Sequence, residues 1–277
     1  MIPIRHFPDL IVRPLFFCSV LFIHIVGSGY DNRVEAGEAL KTLPSLEQAL
    51  AMATRYSSKR DITKSEVIFE VKRNYDLVLA RREQLEISRE VQEHFKKALT
   101  QAEKKFEEGE GEVSLTALTK LELGLAGTLS DISQFKSDIA LAQLYLEKYM
   151  GVQWAGKVDI SGPQFRPAKF PFKTIDEYSN SRKSTELLKK PGGLFEQRKA
   201  FIKINQAREK YNQATQSRKM TRALLVTEVA NYDFGIGNEA DLFEALIIYT
   251  RVLIGYYDAV YALNLSVYHF LKIDGVP

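Results

Sequence analysis

A single cysteine, Cys18, and a single tryptophan, Trp154, stand in 277 residues. One cysteine excludes a disulfide framework and any Cys-rich zinc site. Charge of one sign is lacking too: 38 Lys and Arg face 35 Asp and Glu, a net of +3. Disorder driven by self-repulsion is thereby excluded. A pI near 8.7 arising from so even a balance is no basic stripe, and no nucleic-acid partner is expected. Catalytic patterns are also scarce. His94 and His269 have no partner at H-x-x-x-H or H-E-x-x-H spacing, and His6 and His24 fall within the first 29 residues. There is no G-x-S-x-G motif, and the Gly235-Ile-Gly-Asn-Glu-Ala stretch follows a helical pattern, unlike a dinucleotide loop after a strand. The chain is not expected to be an enzyme, and neither a metal nor a cofactor is expected.

Long apolar runs are confined to the N-terminus. Arg5 and Arg13 precede Leu15–Val26, 12 residues that are too short for a transmembrane helix of about 20. With Gly27, Ser28 and Gly29 behind it, this run fits the hydrophobic region of a secretory signal peptide over residues 1–29. No other stretch is expected to cross a bilayer as a helix.

What the chain has in abundance is helical periodicity. Residues 30–60 hold a polar loop and a short helix, opened by Ser45-Leu46-Glu47-Gln48, a capping-box pattern. From Ile62 to Phe106 neither Gly nor Pro occurs. Ile68, Val71, Tyr75, Val78, Leu85, Val91, Phe95, Ala98, Ala102 and Phe106 recur there, mostly at steps of three or four, the mark of one buried stripe. Such a helix would reach roughly 65–70 Å and needs equally long partners. Gly109-Glu-Gly111 breaks it. A second helix runs from about Ser114 to Met150, with Leu118, Leu121, Leu125, Leu129, Ile132, Phe135, Ile139 and Leu146 on its stripe and Gly151 as its stop.

Residues 152–193 form a linker punctuated by Pro163, Pro167, Pro171 and Pro191, which excludes a long helix and leaves room for a short strand or small helices. A basic helix to Asp233 follows, then a break at Gly235-Ile-Gly237. The helix from Glu239 to Ile273 carries an expected seam of Leu242, Ala245, Tyr249, Val252, Tyr256, Ala259 and Leu263, a 3.5-residue repeat. The hairpins over 61–151 and 194–275 match at an offset of 124 residues, which sets Gly111 on Gly235 and Gly151 on Gly275. The expected fold is all-α: long antiparallel coiled-coil hairpins in two repeats, with little or no strand.

The stretch Tyr232-Asp-Phe-Gly235-Ile-Gly-Asn-Glu-Ala-Asp241-Leu-Phe-Glu244-Ala245 resembles the last helical turn of TolC-type outer-membrane efflux proteins. In that family acidic residues follow the turn glycine at six and nine positions, ahead of an alanine. Tyr256-Tyr257-Asp258-Ala259 with Asn264-Leu265 resembles its ending, and Ser45-Leu46-Glu47-Gln48-Ala49-Leu50 its opening. The resemblance implies a component of an efflux or type I secretion duct in the outer membrane or periplasm of a Gram-negative bacterium. It further implies a homo-oligomer, trimeric by analogy, with a periplasmic adaptor and an inner-membrane pump as partners. The family also carries paired strands of an outer-membrane β-barrel, and no pair of the required 9–11-residue alternating strands is found here. A non-transporting periplasmic scaffold derived from the family is the alternative; an adaptor-like protein would need flanking lipoyl-type strands.

Asp241 and Glu244, three apart, share a helix face. The resemblance makes them a pore constriction, where a ring of carboxylates favours cations. Asp241 stands equally well, with Asp233 and Glu239, as an acid near the first turn of a helix, stabilised by its dipole. Ala117 takes the matching position in the first hairpin. Gly109, Gly111, Gly235 and Gly237 are the turns expected to meet an adaptor. The tyrosines Tyr249, Tyr256, Tyr257, Tyr261 and Tyr268 are expected to pack between helices. Lys199, Lys203, Arg208, Lys210, Arg218, Lys219 and Arg222 are expected to form a solvated basic face.

Overall fold

The computed structural model describes residues 39–57, 62–109, 113–181 and 193–276. The expected signal peptide, Gly111 and residues 182–192 of the linker lie outside them. The order of elements is β1 (Ala39–Thr42), α1 (Leu46–Ser57), α2 (Lys64–Glu108), α3 (Leu115–Met150), β2 (Gln153–Asp159), α4 (Ile175–Ser181), α5 (Gly193–Asp233) and α6 (Glu239–Ile273). The fold is all-α apart from the two strands.

Local chemistry sets the helix ends. Ser45 Oγ accepts from Gln48 N at 3.2 Å while Gln48 Oε1 accepts from Ser45 N at 3.0 Å, so two orphan amides of α1 are satisfied reciprocally. Ser114 caps α3 through Ala117 N, and Asn238 caps α6 through the amides of Ala240 and Asp241. Gly109 and Gly151 end α2 and α3 at φ 68, a left-handed conformation that costs a side chain about 1–2 kcal/mol.

The strands are parallel, Ala39 opposite Gln153 and Leu40 opposite Trp154, with an irregularity before Thr42 meets Asp159. At four and seven residues they fall short of a membrane strand. Their task is local: Trp154 Nε1 donates to Gln143 O at 3.0 Å and Trp154 N to Glu147 Oε1 at 2.9 Å, tying β2 to α3.

Four long helices pack in the order α3, α2, α6, α5, each antiparallel to the next. Three apolar clusters hold them. Val67, Val71, Val78, Ile139 and Leu146 join α2 to α3 with α1 at the end where α2 begins. Phe95, Ala98, Leu121, Leu225, Leu242 and Leu246 join α2, α3, α5 and α6 toward the Gly turns. Tyr178, Phe201, Ile204, Val267 and Phe270 join α4, α5 and α6. Leu118 and Leu242, equivalent by the 124-residue offset, are both buried.

The expected seams need three corrections. Phe106 and Leu129 are exposed. In α6 the buried positions include Leu246, Leu253 and Val260, while Val252 and Ala259 are only half-buried. Ala245 and Leu246 are adjacent, so two seven-residue frames pass through them. The phase of α2 selects the one containing Leu246. Nor is the N-terminal run the sole apolar stretch of interest: α6 is long and apolar enough to cross a bilayer, with a window of mean hydropathy 1.3, of which 33% is buried within this chain.

Between β2 and α4 a proline-rich strap crosses three helices and is gripped by one side chain from each. Arg82 of α2 donates to the carbonyls of Ile160 and Pro163. Asn264 of α6 donates to Arg166 O and accepts from Ala168 N. Arg208 of α5 donates to Phe170 O and Phe172 O, both at 3.0 Å.

Candidate functional site

The Gly turns and the α2–α6 seam carry most of the polar chemistry. At the second turn Gly235 has φ 71, and exposed Phe234 and Ile236 flank it. Gly237 packs against the Asn231 and Tyr232 backbone, where a Cβ would come within 3.2 Å. Asp241 and Glu244 lie together on an exposed face of α6, and Asn238 Nδ2 donates to Asp241 Oδ2 at 2.8 Å. In the single chain that contact orders the cap.

A clasp that sequence reasoning missed joins the two hairpins beside these turns. Lys97 Nζ lies 2.7 Å from Asp233, Lys105 Nζ lies 3.2 Å from Glu239, and Tyr232 OH donates to Ala98 O at 3.2 Å. Glu239 is buried. Burial and the carboxylates of Glu239 and Asp233 push the Tyr232 phenol well above its ordinary range.

Farther from the turns, three α6 tyrosines each donate to an α2 carboxylate: Tyr249 to Glu90 at 3.0 Å, Tyr257 to Glu83 at 3.2 Å and Tyr268 to Asp76 at 2.8 Å. The three acids recur every seven residues, two helical turns, and so lie along one side of α2. Burial, then the neighbouring carboxylate, lifts Tyr257 to about 12; burial and the Glu90 hydrogen bond do the same for Tyr249. Arg81 sits between these rungs, 2.7 Å from Asp138 of α3 and 2.9 Å from Asp258 of α6. Gln84, fully buried, donates to Ile254 O and Asp258.

The tyrosines therefore pack between helices: the hydroxyls of Tyr249, Tyr257 and Tyr268 turn to α2, while Tyr256 packs on Tyr211 of α5. The basic face is not wholly solvated: the Arg218 guanidinium lies 4.5 Å from the centroid of the Tyr256 ring, and Arg208 holds the strap. Among the described residues no three His, Cys, Asp or Glu side chains cluster as metal ligands.

No family model matches the chain, and no curated protein does. Solved structures do match. The outer-membrane channel OprN aligns at a TM-score of 0.58 and 12% identity, over 84% of this chain and 70% of that one. The CmeC outer membrane channel of Campylobacter jejuni aligns at 0.59 and 13%, over 83% of this chain and 66% of that one. CusC, described for its folding and transmembrane channel formation, aligns at 0.54 and 12%, over 84% and 73%. The chain thus has the helical fold found in outer-membrane channels, the TolC-type fold.

Proposed function

We propose that the chain is a TolC-like component of an efflux or type I secretion duct, acting as a homo-oligomer, trimeric by analogy, in the outer membrane or periplasm. The observation that carries this reading is the pair of unpartnered outer faces. On α3, Leu123 is 67% and Leu144 59% exposed; on α5, Ile202 is 68% and Leu224 38% exposed. The contacts Gly124–Phe95 and Phe95–Phe243 set the level of Leu123. The Tyr211–Tyr256 and Phe201–Phe270 contacts bring α5 past that level near Leu224. By the same register Leu144 falls within about a turn of Ile202. Apolar residues thus stand at matching heights on the two edges of the helix layer. A head-to-tail contact, α3 of one copy on α5 of the next, would bury both and close into a ring.

In such a ring Asp241 and Glu244 form the constriction. The turns at Gly109, Gly111, Gly235 and Gly237 face the adaptor, which links the duct to an inner-membrane pump. A second reading, a periplasmic scaffold without transport, is favoured by the shortness of the two strands among the described residues. Native mass measurement on the membrane and periplasmic fractions tests the proposal. A trimer in the membrane fraction is expected; a soluble monomer in periplasmic extract would sink the duct and leave the scaffold.

A further inference from the structure

Under the strap lies a cavity of about 530 Å³ that the duct reading does not use. Leu43, Leu46 and Leu79 give it aliphatic walls, Tyr75 and Tyr268 aromatic ones, and Asp76 its buried charge. Asp76 is 5% exposed. Its Oδ2 accepts from Asn264 Nδ2 at 2.7 Å and from Tyr268 OH at 2.8 Å, so α6 holds the carboxylate in one orientation. Both donors are neutral. Among the described residues Asp76 has no salt bridge, although a buried carboxylate gains most from one. Burial raises it to about 6 against the lowering pull of Asn264, Tyr268 and Lys72.

The remaining charged and titratable groups around it are few. On α2 these are Lys72 and Tyr75. The Lys72 ammonium lies 5.6 Å from the centroid of the Tyr268 ring, and burial lowers it. Tyr75 donates to Pro44 O at 2.9 Å. On α6 they are Tyr261 and Tyr268, both raised by burial. On the strap, exposed Arg166 engages the Gln164 side chain at the rim.

One fixed carboxylate among aromatic and aliphatic walls, with the polar side chains of Ser45, Gln164 and Arg166 also in the lining, defines the ligand chemistry. An anion would meet Asp76 at close range. A hard divalent cation needs six or more oxygens, and one carboxylate supplies too few. A cationic head with an apolar body suits Asp76 and the apolar walls, since ring faces attract cations as well as alkyl groups. Arg166 stays at the rim on Gln164, and the volume lies within the range of small-molecule sites. We infer that this cavity binds a small organic ammonium, a primary amine with an aromatic or branched aliphatic body, its charged head against Asp76. The site lies within one chain and does not depend on ring assembly.

Calorimetric titration of the full chain with phenethylamine tests it. Saturable binding is expected at pH 8, weakened about tenfold at pH 5, where a carboxyl titrating near 6 is mostly protonated. Asp76→Asn keeps an acceptor for Asn264 and Tyr268 and is expected to abolish binding at pH 8. Leu46→Trp narrows the cavity from its α1 wall and should weaken binding. Phenylacetate, of the same body and opposite charge, should not bind. The inference is overturned if phenethylamine gives no saturable heat at pH 8, if Asp76→Asn binds as well as the parent, or if phenylacetate binds equally. The oligomer mass is read separately, so failure here leaves the duct reading standing, and the converse holds.

Discussion

Lys105, in the last turn of α2, places its ammonium 3.2 Å from the buried carboxylate of Glu239 in the first turn of α6, and 5.0 Å from the Tyr232 ring centroid. One side chain thereby ties the turn of the first hairpin to both helices of the second. Glu239 also gains from the positive end of α6, so the helix offsets part of what the lysine supplies. Lys105→Met keeps the stem over Tyr232 and removes the charge. Its cost should be about 1–2 kcal/mol, below the 3–5 kcal/mol of a fully buried pair because Lys105 is partly exposed. Amide exchange at the α5–α6 turn should speed up while exchange around Val71 stays unchanged. Equal acceleration at both ends would show that the lysine does not act locally.

Two glycines three residues apart on α3 should respond with opposite sign. A Cβ on Gly124 would stand 2.6 Å from Phe95 Cζ and 3.2 Å from Phe243 Cε2, whereas one on Gly127 meets nothing within 4 Å. Phe95 is fully buried and its ring cannot retreat. Gly124→Ala should lose about 1–3 kcal/mol to overpacking, more than the ~1 kcal/mol that alanine returns in a helix. Gly127→Ala should gain up to ~1 kcal/mol. Denaturant midpoints of the two variants decide the matter; the same sign for both would contradict the packing described.

Asp76 makes stability depend on pH in an unusual direction for an acid. Its carboxyl rises from 3.8 to about 6 on folding, so between those values the folded chain binds the extra proton. The contribution is fully present below 3.8 and is lost as pH rises through 6. About two units correspond to roughly 2–3 kcal/mol. Asp76→Asn should therefore be more stable than the parent at pH 7, with the difference shrinking toward zero near pH 4. Paired melts at pH 4 and 7 measure it, and a difference constant with pH would remove the titration from the explanation.

Much of this was legible in the sequence, and the gaps have one cause. Helix limits follow local rules: Ser45 and Gln48 cap reciprocally, and Gly109 and Gly151 stop helices, because the residues involved are neighbours. Seam phase does not, since Ala245-Leu246 supports two frames and only the facing helix decides. The pairings of Tyr249, Tyr257 and Tyr268 with Glu90, Glu83 and Asp76 span 159 residues or more, and spacing within one helix does not reveal which helix it faces. The seven-residue recurrence of those acids was the one available hint. Arg208 and Arg218 looked solvated for the same reason: the strap carbonyls and the Tyr256 ring are remote in the chain. Asp241 and Glu244 share an exposed face as i, i+3 spacing requires; what that face meets is a matter for the proposed ring.

For Asp241 and Glu244 the proposed ring gives a direct readout. Replacing both with Ala removes two charges per copy from the constriction, so cation preference in reconstituted bilayers should fall while the oligomer mass holds. The Asn238 cap keeps its bonds to the amides of Ala240 and Asp241, which survive the substitution, so α6 still starts where it does. Unchanged selectivity in an intact oligomer would remove both acids from the constriction and leave Asp241 its place at the helix dipole.

The head-to-tail contact predicts a pattern of charge repair that no symmetric contact would give. Leu123 of one copy meets the neighbourhood of Leu224 in the next, and neither residue meets itself. Leu123→Glu alone, or Leu224→Lys alone, leaves an unpaired charge opposite an apolar patch at every junction and should yield monomers. Both changes in one chain set a carboxylate against an ammonium at each junction and should recover a substantial part of the oligomer at low salt, since screening weakens such pairs. In a back-to-back dimer joined through α3 alone, the double variant would instead set the introduced carboxylate against its own copy and stay monomeric. Native mass of the three variants separates these outcomes: loss, loss and recovery supports the ring, and absence of recovery in a folded double variant removes the proposed register.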